Sequence, residues 1–236
     1  MRNPFMRPPA GCPGLLAVVT VLLFGCLLFL HQPAAFAKPD VGNEGRRATV
    51  RFVPDGDTVV LVSGEVVRLL GIDAPEMGKD GAANQFYAVQ SRDALASLVM
   101  GKEIRVMSGT PSKDRYGRTL ARLVLPQGSN VAEILVSEGY AMVYWHADVP
   151  RRIFENLLEL QRDAVKGRVG MWQVVDIISK RSDTYVGNRK SKRLFTFMCD
   201  GSGQISAKNR IEFRNVEQAF DMGFAPARHC RIWPDQ

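Results

Sequence analysis

Histidine and cysteine are scarce in this chain, which has three histidines and four cysteines among 236 residues. Residues 48–125, which include several closely spaced acidic residues, contain neither. Zinc sites use mainly His and Cys ligands, so a metal bound in this region would be one that prefers oxygen, such as calcium or magnesium. The lack of an internal repeat also excludes solenoid and propeller architectures.

The N-terminal segment has the order of a secretory signal peptide. Arg2 and Arg7 precede an apolar run of 17 residues, 14–30, and Ala35-Phe36-Ala37 provides an A-x-A cleavage site. We therefore predict cleavage after Ala37 and a periplasmic or secreted protein. Two alternatives stay open. The run could be an uncleaved membrane anchor at the lower limit of length, or Cys26 could be a lipoprotein cysteine, although the apolar run continues past it.

The cysteines that remain after this cleavage form an even pair. Cys12 and Cys26 would leave with the signal peptide, so that Cys199 and Cys230 are retained. In an oxidising compartment such a pair favours a disulfide, with two unpaired thiols as the alternative. A disulfide would also stabilise the C-terminal part of the chain, which is short for an independent core.

The apolar pattern predicts a small β-barrel covered by helices. Three runs rich in Val, Leu and Phe are separated by Asp-Gly and Ser-Gly turns, and a helix and two further strands follow. A sheet in this order can curl into a five-stranded OB-type barrel with about three helices, an α+β fold. The predicted strands are 48–53, 58–62, 65–70, 103–107 and 119–125, and the predicted helices are 84–100, 130–139 and 151–166.

Changes in composition divide the chain into segments. Residues 179–193 are rich in Lys and Arg among small polar residues, which is typical of a linker. The predicted boundaries are a signal peptide over 1–37, a flexible leader over 38–47, a barrel domain over 48–173, a basic linker over 174–193 and a small C-terminal α/β module over 194–236.

Two aspartates lie where a hairpin can bring their side chains together. Asp57 begins a predicted strand after the Asp55-Gly56 turn, and Asp73 ends the segment that we expect to be the hairpin partner of that strand. Two close carboxylates repel each other, and a hard divalent cation relieves that repulsion. The alternative is that each aspartate only caps a turn. Glu76 lies close to Asp73 along the chain and is the candidate general base.

Two arginines offer positive charge near these carboxylates. Arg68 interrupts an otherwise apolar strand, so it points either into a polar cavity or to the outer face of the barrel. Arg118 lies in the polar loop before the fifth strand. A guanidinium binds two phosphate oxygens at once and stabilises charge that develops in a transition state. Both arginines are therefore candidate phosphate-binding residues.

Three motifs occur in a fixed order: Asp55-Gly56-Asp57-Thr58, then Arg-Leu-Leu-Gly-Ile-Asp-Ala-Pro-Glu over 68–76, then Asp114-Arg115-Tyr116-Gly117-Arg118. With a predicted helix between the second and third, residues 47–173 closely resemble the staphylococcal nuclease (thermonuclease) family. The resemblance implies an OB-fold barrel and a calcium-dependent endonuclease that cleaves DNA and RNA and leaves 3′-phosphate ends.

The same resemblance implies roles for individual residues. The calcium ligands would be Asp57, Asp73 and the backbone carbonyl of Ala74, with Asp55 in the outer shell. The catalytic residues would be Arg68, Glu76 and Arg118, and the substrate-binding residues Arg115 and Tyr116. The family's other nucleotide-contacting tyrosine corresponds to either Tyr144 or Trp145.

The C-terminal module faintly resembles the zinc-binding domain of Ada-type DNA-repair proteins. Cys199 and Cys230 match two of the four ligands that such a site needs, whereas Phe195 and Ala227 stand at the other two positions. The resemblance therefore favours a disulfide in place of the metal, with His229 as a surface residue. The similar segments are Tyr185–Asn188, Ser191–Lys192, Phe213 and Gly223–Pro226.

Two functions of different classes follow from these observations. The first is a nuclease, and the second is an OB-type barrel that binds nucleic acid without cleaving it. The complete set of acidic residues and arginines favours the nuclease. The net charge is +7 for the whole chain and +5 after loss of Arg2 and Arg7 with the predicted signal peptide, which favours a polyanionic partner. We expect DNA and RNA as substrates, a monomer without a stable protein partner, and membrane contact only if the N-terminal segment stays uncleaved.

Overall fold

The structure, a computed structural model, describes residues 45–180 and 184–234, and for residues 109–112 it describes the backbone alone. The predicted signal peptide, with Cys12, Cys26 and the alternative membrane anchor, lies outside these residues. Within the described part of the chain, no helix combines the length and the apolar character needed to cross a membrane.

The described elements follow the chain in an order that starts with strands and ends with a small mixed unit. The strands are β1 (Arg46–Asp55), β2 (Thr58–Leu61), β3 (Val66–Leu69), β4 (Ile72–Asp73), β5 (Glu103–Lys113), β6 (Thr119–Val124), β7 (Met142–Val143), β8 (Tyr185–Asn188), β9 (Arg193–Thr196), β10 (Arg210–Phe213) and β11 (Ala225–Pro226). The helices are α1 (Ala88–Val99), α2 (Val131–Ser137), α3 (Arg151–Lys166), α4 (Val175–Ser179) and α5 (Val216–Asp221), with 3-10 turns at Gly170–Val174, Ser202–Gln204 and Ala207–Asn209.

Five strands close into a barrel in the order β1-β2-β3-β6-β5, which confirms the predicted fold. β3 and β6 are parallel, whereas the other neighbouring strands of the barrel are antiparallel. Alternate side chains of each strand point inward and form the core. The buried interior residues include Val59, Val67, Leu69, Ile104 and Leu123.

The helices confirm most of the predicted bounds. α3 begins and ends as predicted, while α1 begins only at Ala88 because Tyr87 has φ 67 and residues before it form a turn. Asn130 is the N-cap of α2, as predicted, and its side chain accepts a hydrogen bond of 3.1 Å from the backbone of Ala132. Such a cap satisfies a backbone donor that the first turn of a helix leaves unpaired.

The C-terminal module is a four-stranded sheet, β10-β8-β9-β11, packed with α5. Cys199 and Cys230 form the predicted disulfide, with their Cα atoms 5.6 Å apart. Cys199, His229 and Cys230 place potential ligand atoms within 4.8 Å of one another. Both sulfurs are consumed by the disulfide, however, and His229 is exposed with Nε2 2.8 Å from the Asp200 carbonyl oxygen, so this group does not form a zinc site.

Two predicted boundaries are wrong. The supposed linker over 174–193 contains α4 and β8, and the supposed leader over 38–47 contains the start of β1. β8 was hidden because its buried residues, Tyr185 and Val186, are few and are followed by basic residues. Those basic residues belong to the exposed turn between β8 and β9, over 189–192, instead of to an extended linker.

The module is fixed to the barrel through α3. The first half of α3 packs on the barrel core, whereas Ala164 and Val165 in its last turn belong to the core of the module. Gln161, which is fully buried, accepts a hydrogen bond of 2.8 Å from the backbone of Val143 and donates one of 2.7 Å to the carbonyl of Phe220. A buried side chain paired on both sides holds the two units at a defined position.

Candidate active site

The turn that carries Asp57 is enclosed by neighbouring backbone. A Cβ atom at Gly56 would lie 2.6 Å from Cβ of Ser91 in α1 and 2.7 Å from Cβ of Ala74. Only glycine fits this position. The Asp57 backbone amide also donates a hydrogen bond of 3.2 Å to the Asp55 side chain, which shapes the turn and directs the Asp57 carboxylate inward.

Asp57, Arg68 and Asp73 form a buried ionic cluster. Arg68 Nη2 lies 3.0 Å from Asp57 Oδ2 and 3.0 Å from Asp73 Oδ1. The three residues are 3%, 6% and 5% exposed, respectively. The Arg68 side chain therefore points into the polar cavity, and its alternative place on the outer barrel face is excluded.

The backbone around this cluster holds its side chains in place. Arg68 Nη1 donates hydrogen bonds to the carbonyls of Ile72 at 2.9 Å and Leu69 at 3.2 Å. Both Nη atoms of the guanidinium are therefore paired, Nη1 with backbone and Nη2 with the two aspartates. Asp57 Oδ2 accepts a hydrogen bond of 2.7 Å from the Ala74 backbone. These contacts fix the cluster before any ligand binds.

The expected pairing of Asp73 is wrong, although its proximity to Asp57 is confirmed. The hairpin partner of β2 is β3, which ends at Leu69, and Asp73 lies in the next strand, β4. β4 pairs with β7, so that Asp73 faces Met142 along the ladder. The chain reaches the site through the turn at Gly71, whose φ of +84° favours glycine.

Burial and neighbouring charges act differently on the two aspartates. The pKa of Asp57 is raised to about 7, chiefly by burial and further by the negative charges of Asp55 and Asp73, with Arg68 opposing the shift. Burial also pushes the pKa of Asp73 upward, but Arg193, Arg68 and Arg228 outweigh this effect and hold it below its usual value. Of the two carboxylates, Asp57 is the one whose cost of burial is not fully offset by nearby arginines. A bound cation would stabilise its ionised form.

Glu76 lies beside this cluster, as the sequence predicts. Its Oε1 is 2.6 Å from Arg228 Nη2, and the same nitrogen lies 3.1 Å from Asp73 Oδ1. The Glu76 backbone amide donates a hydrogen bond of 2.9 Å to the Gln85 side chain. The carboxylate is partly exposed, so it can reach a water molecule that the buried aspartates cannot.

A cleft of about 670 Å³ adjoins the cluster at Arg68 and is also lined by Arg115, Arg118, Arg193 and Arg228 among other residues. Arg118 binds the Asp114 carboxylate through Nε at 2.8 Å and Nη2 at 2.8 Å. Arg118 lines the same cleft as Arg68 and does not join the buried cluster. This volume is typical of a small-molecule or single-nucleotide site.

Two tyrosines line the cleft and offer stacking surfaces. Tyr116 is 69% exposed and lies beneath the guanidinium of Arg115, whose Cζ is 4.8 Å from the ring centroid. Tyr144 also lines the cleft, whereas Trp145 packs edge-on against Phe154 of the barrel core at 5.1 Å. Of the two residues left open by the sequence, Tyr144 is the one positioned to contact a ligand.

Arg193 and Arg228 are the site residues that sequence reasoning missed. Arg193 lies in the supposed linker, and Arg228 lies between Ala227 and His229 of the C-terminal module, which carry no signal of a nuclease site. They lie 120 and 155 residues from Asp73 along the chain, a distance that no local pattern can bridge. The one available signal was an arginine directly before Leu194 in a strand-like segment.

Comparison of the sequence with known proteins identifies the family of this chain. Residues 66–174 match the family model described as staphylococcal nuclease homologue. An Escherichia coli protein described as an uncharacterized endonuclease is 35% identical over 127 residues, which cover 52% of this chain and 75% of that protein. The chain belongs to the staphylococcal nuclease family. Its closed five-stranded barrel with helices is the OB-fold arrangement that the resemblance implied.

Other members of the staphylococcal nuclease family match over different lengths. The thermonuclease of Staphylococcus intermedius is 28% identical over 164 residues, which cover 67% of this chain and 94% of the thermonuclease. Endonuclease YhcR of Bacillus subtilis is 28% identical over 232 residues, which cover 87% of this chain but only 19% of YhcR. These names support a nuclease.

The similarity to YhcR extends past the family domain. Residues 1–174 make up less than 87% of the 236-residue chain, so the matched stretch includes residues after 174. Part of the C-terminal module, or of the segment that leads into it, is thus shared with a second protein that carries a nuclease name.

Proposed function

We propose that the protein is an exported, calcium-dependent endonuclease that hydrolyses phosphodiester bonds in DNA and RNA and leaves 3′-phosphate ends. The observation that carries this proposal is the buried Asp57–Arg68–Asp73 cluster with Glu76 beside it, whose Arg68 also lines a cleft together with further arginines. A barrel that only binds nucleic acid has no need for two buried aspartates whose charges are so costly to bury.

The donor set fits a calcium ion. Asp57, Asp73 and the backbone carbonyl of Ala74 would hold it, with Asp55 in the outer shell, and all of these donors are oxygen atoms. The raised pKa of Asp57 marks a carboxylate that gains most from a cation. When bound, the ion polarises the scissile phosphate and offsets part of its negative charge.

The remaining steps use side chains of the chain itself. Glu76 accepts a proton from the attacking water as its oxygen bonds to phosphorus, and the bond from phosphorus to the 5′-oxygen breaks. The departing 5′-oxygen takes up a proton from solvent water, and the phosphate stays on the 3′-oxygen of the other fragment. Arg68 and Arg118 both line the cleft and stabilise charge on the phosphate oxygens.

The decisive test is cleavage of plasmid DNA and of an RNA transcript in calcium and in EDTA. We expect both substrates to be cut in calcium only, with 3′-phosphate ends that a phosphatase removes. Glu76→Gln should lose activity by about a hundredfold or more, the usual effect of removing a general base. Binding without cleavage in calcium would favour the alternative, an OB-type nucleic-acid-binding protein.

Export requires a separate measurement. Expression of the full chain followed by fractionation should place the protein outside the cytoplasm, with an N-terminus at Lys38 by protein sequencing. A protein that stays in the membrane fraction at full length would instead support the uncleaved anchor.

A further inference from the structure

Two arginines of the C-terminal module reach into the proposed active site. Arg193 Nη1 lies 2.7 Å from Asp73 Oδ2, on the side of that carboxylate opposite the oxygen bound by Arg68. Arg228 Nη2 bridges Asp73 and Glu76 at 3.1 and 2.6 Å. Both side chains also line the cleft over the site.

Contacts within the module and with the barrel fix the positions of these two arginines. Arg193 extends from β9, donates a hydrogen bond of 3.0 Å to the Pro226 carbonyl, and places its Cζ 4.4 Å from the ring centroid of Tyr144. Its side chain is only 18% exposed. Arg228 lies two residues before Cys230, whose disulfide with Cys199 ties that segment to the end of β9. Neither arginine is a loose surface side chain.

The balance of charge in the cleft favours a polyanion. Its lining includes six cationic side chains and two carboxylates, those of Asp114 and Asp148. Three further carboxylates, those of Asp57, Asp73 and Glu76, pair with arginines of this lining, and the positive charges still exceed the negative ones. The Arg228 side chain is 50% exposed even with two carboxylates bound, and it also lines the cleft. Guanidinium groups bind the oxygens of a phosphodiester backbone through paired N–H donors.

We infer that Arg193 and Arg228 bind phosphate groups of the nucleic-acid backbone, so that barrel and module together form the substrate site. The inference rests on the proposed function, because it takes nucleic acid as the substrate. The module is then a working part of the nuclease instead of an appendage. Arg193, stacked on Tyr144, would hold a phosphate next to the nucleotide that this ring contacts.

Binding in EDTA tests the inference without requiring catalysis. The affinity of a fluorescein-labelled single-stranded oligonucleotide is measured by anisotropy over a series of salt concentrations for the full chain, Arg193→Ala and Arg228→Ala. Each loss of a phosphate contact should weaken binding about five- to tenfold at low salt and reduce the slope of log affinity against log salt by about 0.7. Arg228→Lys keeps the charge and should restore most of that slope.

Arg214→Ala is the matched control. It removes the same charge from an exposed position of the module, and Arg214 does not line the cleft. Thermal unfolding of each variant confirms that the fold is retained. In calcium, both site variants should show a raised KM while kcat falls much less. The reason is that the phosphate contacts are present in the enzyme–substrate complex as well as in the transition state.

Three results have different meanings. Variants that bind and cleave like Arg214→Ala would show that the two arginines make no contact with substrate, and the inference fails. Variants that bind more tightly or cleave faster would mean that the arginines shield the carboxylates, which also overturns it. If the unmodified chain does not cleave in calcium but Arg193→Ala still loses affinity, the hydrolase proposal fails and the shared binding site stands.

Discussion

The barrel and the C-terminal module contribute to the candidate site in opposite ways. The barrel supplies Asp57, Arg68, Asp73 and Glu76 from a short stretch of chain folded around one hairpin and one turn. The module supplies Arg193 and Arg228 from segments that reach the site only because the whole module is docked on α3. Local folding therefore provides the acidic cluster, whereas tertiary packing provides the extra positive charge.

This difference predicts that damage to the barrel cluster has the largest effect. Arg68→Ala leaves Asp57 and Asp73 buried without their shared partner. We expect a loss of about 3–5 kcal/mol in the free energy of unfolding, the usual cost of breaking a buried ion pair. Activity should fall by about a hundredfold or more. Urea denaturation and steady-state cleavage assays measure the two effects.

Arg118→Ala is the control for this substitution. Arg118 is partly exposed and pairs with Asp114 outside the buried cluster, so its removal should change stability by less than about 1 kcal/mol. Its effect on cleavage should still be large. If the two variants lose stability equally, Arg68 is not a structural centre of the barrel site.

The second largest effect should come from the disulfide, which acts on the module. In Cys199→Ser with Cys230→Ser, the loss of a bridge that spans 31 residues should lower the free energy of unfolding by about 3–4 kcal/mol in the chain-entropy model. Because Arg228 is tied to this bridge, KM should rise while kcat is largely kept. A drop in kcat with unchanged KM would contradict the separation between the two regions.

The contact between the regions should have an intermediate effect. Gln161→Leu removes hydrogen bonds to the Val143 backbone and the Phe220 carbonyl and leaves both groups buried. We expect the free energy of unfolding to fall by about 2–3 kcal/mol. Gln218→Leu, at an exposed position of α5, is the control and should change stability little. Equal losses in the two variants would remove Gln161 as the link between barrel and module.

The same division explains what could be predicted from sequence. The barrel strands and α3 follow from apolar periodicity and strong turn signals, so their bounds were nearly correct, and the motifs placed Asp57 and Asp73 together. β4 could not be predicted, because a strand of two residues has no periodic pattern and its partner β7 is distant along the chain. β8 was obscured by the basic turn that follows it. Arg193 and Arg228 have no local signature, since only docking of the module determines where they lie.

The smallest effect on stability should come from removing a helix N-cap, and this change tests whether the barrel and the module unfold together. Asn130 caps α2 in the barrel and Asn215 caps α5 in the module, where its side chain accepts a hydrogen bond of 2.8 Å from the Glu217 backbone. Asn130→Ala and Asn215→Ala should each cost about 1 kcal/mol. Because α3 belongs to both cores, we expect one cooperative transition that each variant shifts to a similar extent in calorimetry. If Asn215→Ala instead lowers the temperature of a separate first transition, the module unfolds independently of the barrel. Arg193 and Arg228 would then line the cleft only while the module is folded.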